Sequence, residues 1–311
     1  GDVFKMKKTT KLLALVCAML MLGSVLAGCS STPAPSASAE ATAAPEESVA
    51  AEATAAPEES AAAEGTASAT PTLDAIRERG QLILGTESTY PPFEFIVIEN
   101  GQSIGAGFDV MLAQKIAEKL GVTLVTSEMA FDSLIPAIQA GTIDIAASMT
   151  PTDERKQAVD FSENYYETSN VFLVRKGEEG NFTSAESFDG KTIGAQVGTA
   201  QNDLVVNDMT NAQSLLLPKV TTLVQELKTG NIDAICMEKP AGDIYAAAYP
   251  DLVIADYVVA DAAGGVAFPA AKGQDDLIAF INETIEELKA SGELEKLYQE
   301  ACAQAIDQLS E

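Results

Sequence analysis

Short apolar runs alternate with helical stripes along most of this chain. Leu82-Ile83-Leu84 predicts a strand, and a polar loop with Pro91-Pro92 follows it. Glu99-Asn100-Gly101-Gln102 predicts a hairpin turn. Apolar residues at 108, 112, 116 and 120 form one face of a helix, and Gly121 stands where a left-handed glycine would end it. Val122 to Val125 predicts a strand, Leu134 to Gln139 a helix stopped at Gly141, and Ile143 to Ala147 another strand. Strand and helix taking turns in this way predict an α/β sheet with parallel neighbours.

Part of the pattern then returns. Ile138-Gln-Ala-Gly141-Thr-Ile-Asp144 is followed, 89 residues later, by Leu227-Lys-Thr-Gly230-Asn-Ile-Asp233. Each reads as a helix ending on a left-handed glycine, then a buried strand with an Asp at its entrance. Gly121-Val-Thr-Leu and Lys191-Thr-Ile-Gly are matched as further equivalent strands. Two lobes of similar build are expected, with the helical stretch Asp275 to Leu309 packing back on the first. The expected division is 73–175 and 263–311 for the first lobe and 176–262 for the second.

The N-terminus follows other rules. Lys7, Lys8 and Lys11 precede an apolar run from Leu12 to Ala27, a secretory signal that is short for a membrane span. It ends in Leu26-Ala27-Gly28-Cys29, which resembles a bacterial lipobox. The expectation is a signal peptide over 1–28, cleavage before Cys29, and anchoring to the membrane through lipid on Cys29. Residues 29–72 carry a twelve-residue repeat starting at Glu40 and again at Glu52, with seven Glu and neither Lys nor Arg. Such a segment cannot offset its ordering entropy, so a disordered tether of roughly 35–40 Å is expected.

Charge and composition narrow the chemistry. The chain has 311 residues, 46 acidic and 19 basic, for a net charge of −27. That balance argues against nucleic acid, whose phosphates need clustered Lys and Arg. The absence of His removes imidazole as base, acid or metal ligand. Cys236 and Cys302 have no metal spacing and read as unpaired thiols, with a long-range disulfide left open. No metal and no cofactor are expected.

Ligands of open α/β sheets bind beyond the carboxyl ends of the strands. After Leu84 come Glu87 and Tyr90; after Ala147 come Ser148, Thr150 and Arg155; after Ile193 come Gln196, Thr199 and Ala200. Glu238 follows Cys236, and Phe131 opens the helix after the Val122 strand. One cation, two carboxylates, hydroxyls and aromatic faces, without an activated nucleophile, suit a zwitterion that carries a side chain.

Gly85-Thr-Glu-Ser-Thr-Tyr-Pro-Pro-Phe93, Gly107-Phe-Asp-Val110, Phe131-Asp-Ser-Leu-Ile-Pro136 and Met149-Thr-Pro-Thr-Asp-Glu-Arg155 carry a resemblance. Together with Asp160-Phe-Ser162 they look like family 3 extracellular solute-binding proteins, the polar amino-acid receptors of ABC importers. The resemblance covers about 73–311. It implies an α/β, two-lobed periplasmic-binding-protein-like (type II) fold with two hinge crossings, closing over an amino acid. By the same resemblance Arg155 grips the ligand α-carboxylate, a task suited to a guanidinium fork. Ser148 and Thr150 meet the α-carboxylate and α-amine, and Thr199 and Ala200 form the second-lobe loop. Glu238 stands where the family usually has an Asp that accepts from the α-ammonium. Tyr90 and Phe131 sandwich the ligand side chain, and Glu87 meets its distal group.

The leading expectation is a monomeric, lipid-anchored receptor on the extracellular face of the cytoplasmic membrane. It binds a free amino acid and delivers it to ABC permease subunits. Glu87 between aromatic faces suggests a cationic ligand, arginine or lysine, with glutamine or another polar amino acid as rival. The competing reading is an enzyme on the same fold, such as a cyclohexadienyl dehydratase. Glu87 or Glu238 would be its general acid, but no second catalytic group is evident.

Overall fold

A computed structural model describes residues 68–99 and 101–310. The expected signal peptide, Cys29 and the tether up to residue 67 lie outside the described residues. The tether ends sooner than expected, because Pro71 and Thr72 already belong to helix α1 (Pro71–Arg79). Proline suits a first helical turn, and the Asp276 carboxylate accepts the Thr72 and Leu73 N–H groups at 2.8 and 3.0 Å.

The chain continues through β1 (Gln81–Thr86), β2 (Thr89–Tyr90), β3 (Glu94–Glu99), β4 (Gln102–Ala106), α2 (Phe108–Leu120) and β5 (Thr123–Glu128). Then come α3 (Leu134–Gln139), β6 (Ile145–Ala146), α4 (Arg155–Ala158) and β7 (Val159–Phe161). A second run holds β8 (Tyr166–Arg175), β9 (Thr192–Gln196), α5 (Ala200–Asp203), β10 (Gln213–Leu217), α6 (Val220–Thr229), β11 (Ala234–Glu238), α7 (Lys239–Ala248) and β12 (Leu252–Val266). β13 (Pro269–Ala271), α8 (Asp275–Ser291) and α9 (Glu293–Ser310) close the chain. One sheet has the order β5-β1-β6-β13-β7, the second β10-β9-β11-β8-β12, and β2-β3-β4 form a small third. The expected hairpin joins β3 to β4, with Glu99 opposite Gln102.

The repeated phrase has a physical basis. α3 and α6 are followed by left-handed glycines, Gly141 (φ 69°) and Gly230 (φ 79°). The Asp144 N–H donates to the Ile83 carbonyl and its carboxylate accepts the Ile83 N–H; Asp233 does the same with Thr192, all between 2.7 and 2.9 Å. Each Asp thereby ties its strand to the strand beside it. Gly85 in β1 lies under Leu134 and Ile143, and Gly194 in β9 under Leu223 and Ile232, where a Cβ would collide. The matching of strands needs one correction. Thr192–Gln196 occupies the second place that β1 holds in the first sheet, so its counterpart is β1 and not the strand after Gly121.

The lobe boundaries also move. Tyr166–Arg175 pairs along its length with β11 and β12 of the second sheet, so the chain crosses before Tyr166 rather than after residue 175. The return crossing follows Val266 rather than residue 262, because β12 continues through a register shift at Gly265. The two crossings run side by side. Ser162 N–H donates to the Phe268 carbonyl at 2.9 Å and Tyr165 N–H to the Val266 carbonyl at 3.0 Å.

The C-terminal helices α8 and α9 pack on α1 and α2, and α9 also reaches α7. Ala305 is buried with Phe95 and Val97 of β3 and with Ile244 of α7. Cys236 lies in the second-lobe core and Cys302 on α9; both thiols are free.

Gly107 is the tightest backbone approach in the first lobe. Its φ is 116°, and a Cβ there would come within 2.7 Å of the Phe93 carbonyl carbon and 2.9 Å of the Glu94 nitrogen. Backbone cannot yield as a side-chain tip can, so Gly107→Ala is expected to cost about 3 kcal/mol. Calorimetry should show a melting temperature lower by roughly 6–12 °C; an unchanged value contradicts this.

Candidate functional site

A small cavity lies between the lobes, beyond the carboxyl ends of β1, β6, β9 and β11. Nine of the residues singled out in the sequence line it: Tyr90, Phe131, Ser148, Thr150 and Arg155 from one side, Gln196, Thr199, Ala200 and Glu238 from the other.

Arg155 opens α4, where Thr152 Oγ accepts its N–H at 3.3 Å. Its Nη1 donates to the Thr150 carbonyl and its Nη2 to the Gly198 carbonyl of the second lobe, each at 2.8 Å. The guanidinium lies over the Phe131 ring, 5.4 Å from its centroid. Burial draws its pKa below the ordinary value, but a guanidinium stays charged at neutral pH.

Glu238 ends β11 and precedes Pro240 at the start of α7, so its backbone is extended and its side chain turns inward. It is 4% exposed. Its N–H donates to the Tyr90 hydroxyl at 2.9 Å, across the gap between lobes, and Thr150 Oγ lies 3.5 Å from its Oε1. Burial, with some help from the Asp261 charge, pushes its carboxyl up to about 8.

Thr199 caps α5, with its Oγ accepting the Asn202 N–H at 3.1 Å and donating to the Gln196 carbonyl at 2.8 Å. Ser148 lines the cavity with a buried Oγ that has no hydrogen-bond partner.

Glu87 is the exception, for it does not line the cavity. Gln196 Nε2 donates to its Oε2 at 2.7 Å and Thr89 Oγ at 2.8 Å, so this carboxylate bridges the lobes behind the cavity wall. Burial raises its pKa.

Glu94 stands in the place expected of Glu87, and sequence reasoning missed it. It lines the cavity, is 1% exposed, and accepts the Glu87 N–H at 3.1 Å. Burial and the neighbouring Asp109 push its pKa well up. The signal available was Glu94 standing between Phe93 and Phe95 at the start of a strand. Gln201 also lines the cavity, where its Nε2 donates to Asn170 Oδ1 at 2.7 Å.

Among the described residues no cluster of His, Cys, Asp and Glu is able to hold a metal ion. The site offers a cation on one wall, buried carboxyls on two others, aromatic faces and hydroxyls. It can hold a small molecule with a negative and a positive end.

Comparison with known proteins agrees. Residues 82–303 match the model of bacterial extracellular solute-binding proteins, family 3, and the chain belongs to that family. It is 35% identical to the arginine-binding extracellular protein ArtP of Bacillus subtilis, over 70% of this chain and 84% of that one. It is 37% identical to a probable histidine-binding protein of Campylobacter jejuni, over 68% and 80% respectively. The crystal structure of the amino acid ABC transporter substrate-binding protein AbpA from Streptococcus pneumoniae, bound to L-arginine, superposes with a TM-score of 0.73. The two are 33% identical, with 75% of this chain and 99% of that chain covered. This is a solute-binding protein, not the dehydratase weighed as the alternative.

The buried acids make a pH prediction. Glu238 and Asp109 are each pushed up to about 8, and Glu94 and Glu87 shift the same way. Above their ordinary pKa values the unfolded chain has released protons that the native state still holds. Stability therefore falls as pH rises toward about 8. The ligand-free protein should melt lower at pH 8 than at pH 5, and Glu238→Gln should shrink the difference. A melting temperature that rises over that interval contradicts the assignment.

Proposed function

We propose that this chain is the amino-acid receptor of an ABC importer and that its ligand is a cationic L-amino acid, L-arginine first. The observation that carries the reading is the arrangement of charge in the cavity. Arg155 on one wall and Glu238 on the other form no ion pair with any described residue. Glu238 is buried and Arg155 partly so, and a charge held there without a partner is costly. An α-carboxylate on the Arg155 fork and an α-ammonium against Glu238 compensate both at once. The ammonium favours the ionised form of Glu238, so its burial is offset on binding.

The side chain of the ligand then points toward Glu94, between Tyr90 and Phe131. A cation there favours the ionised form of Glu94 and gains from the faces of two rings. The arginine-binding relative and the arginine-bound neighbour support that choice. The histidine-binding relative makes L-histidine the rival.

The receptor works as a monomer. It delivers its ligand to permease subunits and is held on the extracellular face of the cytoplasmic membrane by lipid on Cys29. Two acyl chains anchor stably where one does not.

A thermal-shift panel of L-arginine, L-lysine, L-histidine, L-glutamine and L-glutamate tests the ligand. L-arginine at about 100 times its Kd should raise stability by about 2.7 kcal/mol, or roughly 5–11 °C. Arg155→Ala should melt as a folded protein and show no shift. Preference for L-glutamate, or an unaltered shift in Arg155→Ala, contradicts the reading. The anchor is tested separately in the producing bacterium. Cys29→Ser should move the protein from the membrane fraction to the medium, and retention on the membrane contradicts lipidation.

A further inference from the structure

Ser148 is the one non-glycine residue among those described with a positive φ, 44°. A side chain in that region costs free energy and persists only where its surroundings enforce it. One contact of Ser148 lies behind the cavity. The Ser148 N–H donates to the Tyr165 hydroxyl oxygen at 3.1 Å.

Tyr165 is itself held on three sides. Its ring stacks on Phe268, with centroids 4.6 Å apart, and meets Phe108 edge-on at 5.8 Å. Its backbone N–H is fixed to the Val266 carbonyl where the two crossings run together. Tyr165 is 3% exposed, and fully buried Asp109 lies beside its hydroxyl. Neither carboxyl oxygen of Asp109 has a hydrogen-bond partner among the described residues.

We infer that Tyr165 is a positioning residue for the binding cavity. By accepting the Ser148 N–H it holds Ser148 in the left-handed conformation that presents the Ser148 hydroxyl to the bound amino acid. Without that acceptor Ser148 relaxes toward extended backbone and its Oγ swings off the cavity wall. This inference rests on the reading of the cavity as an amino-acid site.

Calorimetry with L-arginine as the probe, on the full chain, tests it. Tyr165→Phe keeps the stacked ring and removes the acceptor, and should raise Kd about tenfold, the value of one hydrogen bond. Glycine adopts a positive φ without support. In a Ser148→Gly background, which already lacks the hydroxyl, Tyr165→Phe should therefore change Kd by less than about twofold. Unaltered binding in the single variant, or losses that multiply in the double variant, overturns the inference. A second arm needs no ligand: in the free protein Tyr165→Phe should speed hydrogen exchange of the Ser148 amide about tenfold. Unaltered exchange also overturns the inference. If the parent protein binds no L-arginine, it is the choice of ligand that fails, and the exchange arm still decides the role of Tyr165.

Discussion

A guanidinium and a carboxyl face the same small cavity from opposite lobes, and neither is neutralised by the protein. That is the constraint on which the architecture turns. Burying a charge without a partner is costly, and direct contact between the two would close the site against any ligand. Arg155 is kept in place by two main-chain carbonyls, one from each lobe. Carbonyl oxygens orient a guanidinium without cancelling its charge. Glu238 is kept in place by its backbone, whose N–H is tied to Tyr90. Its burial lets it wait as a neutral acid and ionise when a cation arrives.

The fold supplies these positions twice over. Each lobe places three parallel strands in the same order, and each uses an Asp at a strand entrance to lock a neighbour in register. Parallel strands put their carboxyl ends on one side, so loops that carry function gather there. Facing the two sets of ends across a pair of crossings gives a cleft with one wall from each lobe. The contacts spanning it, Gln196 to Glu87 and Tyr245 to the Thr89 carbonyl among them, describe a closed arrangement. Closure by hinge motion about such crossings is a familiar route to ligand capture.

Much of this was legible in the chain. The helix over 108–120, the left-handed glycines and the returning phrase come from local rules of periodicity and capping, so they survive translation into structure. Arg155 and Glu238 stood out as polar residues after strands at the sheet's functional edge, and the family resemblance supplied their roles. Glu87 and Glu94 were not told apart, because the difference between them arises from the opposite lobe. Gln196 engages one, and the cavity receives the other. The crossing points were misplaced for a similar reason. Tyr166–Arg175 looks like any apolar strand, and only its partners, more than sixty residues away at β11 and β12, assign it to the second sheet.

The head-group clasp can be separated from side-chain preference with three related molecules. Calorimetry would compare L-arginine with agmatine, which lacks the carboxylate, and with Nα-acetyl-L-arginine, which lacks the ammonium. All three keep the guanidinium. Binding of L-arginine alone, with both analogues weakened at least about a hundredfold, is the result predicted here. Agmatine binding as tightly as L-arginine would mean that Arg155 does not hold a ligand carboxylate, and the account given for this cavity would be wrong.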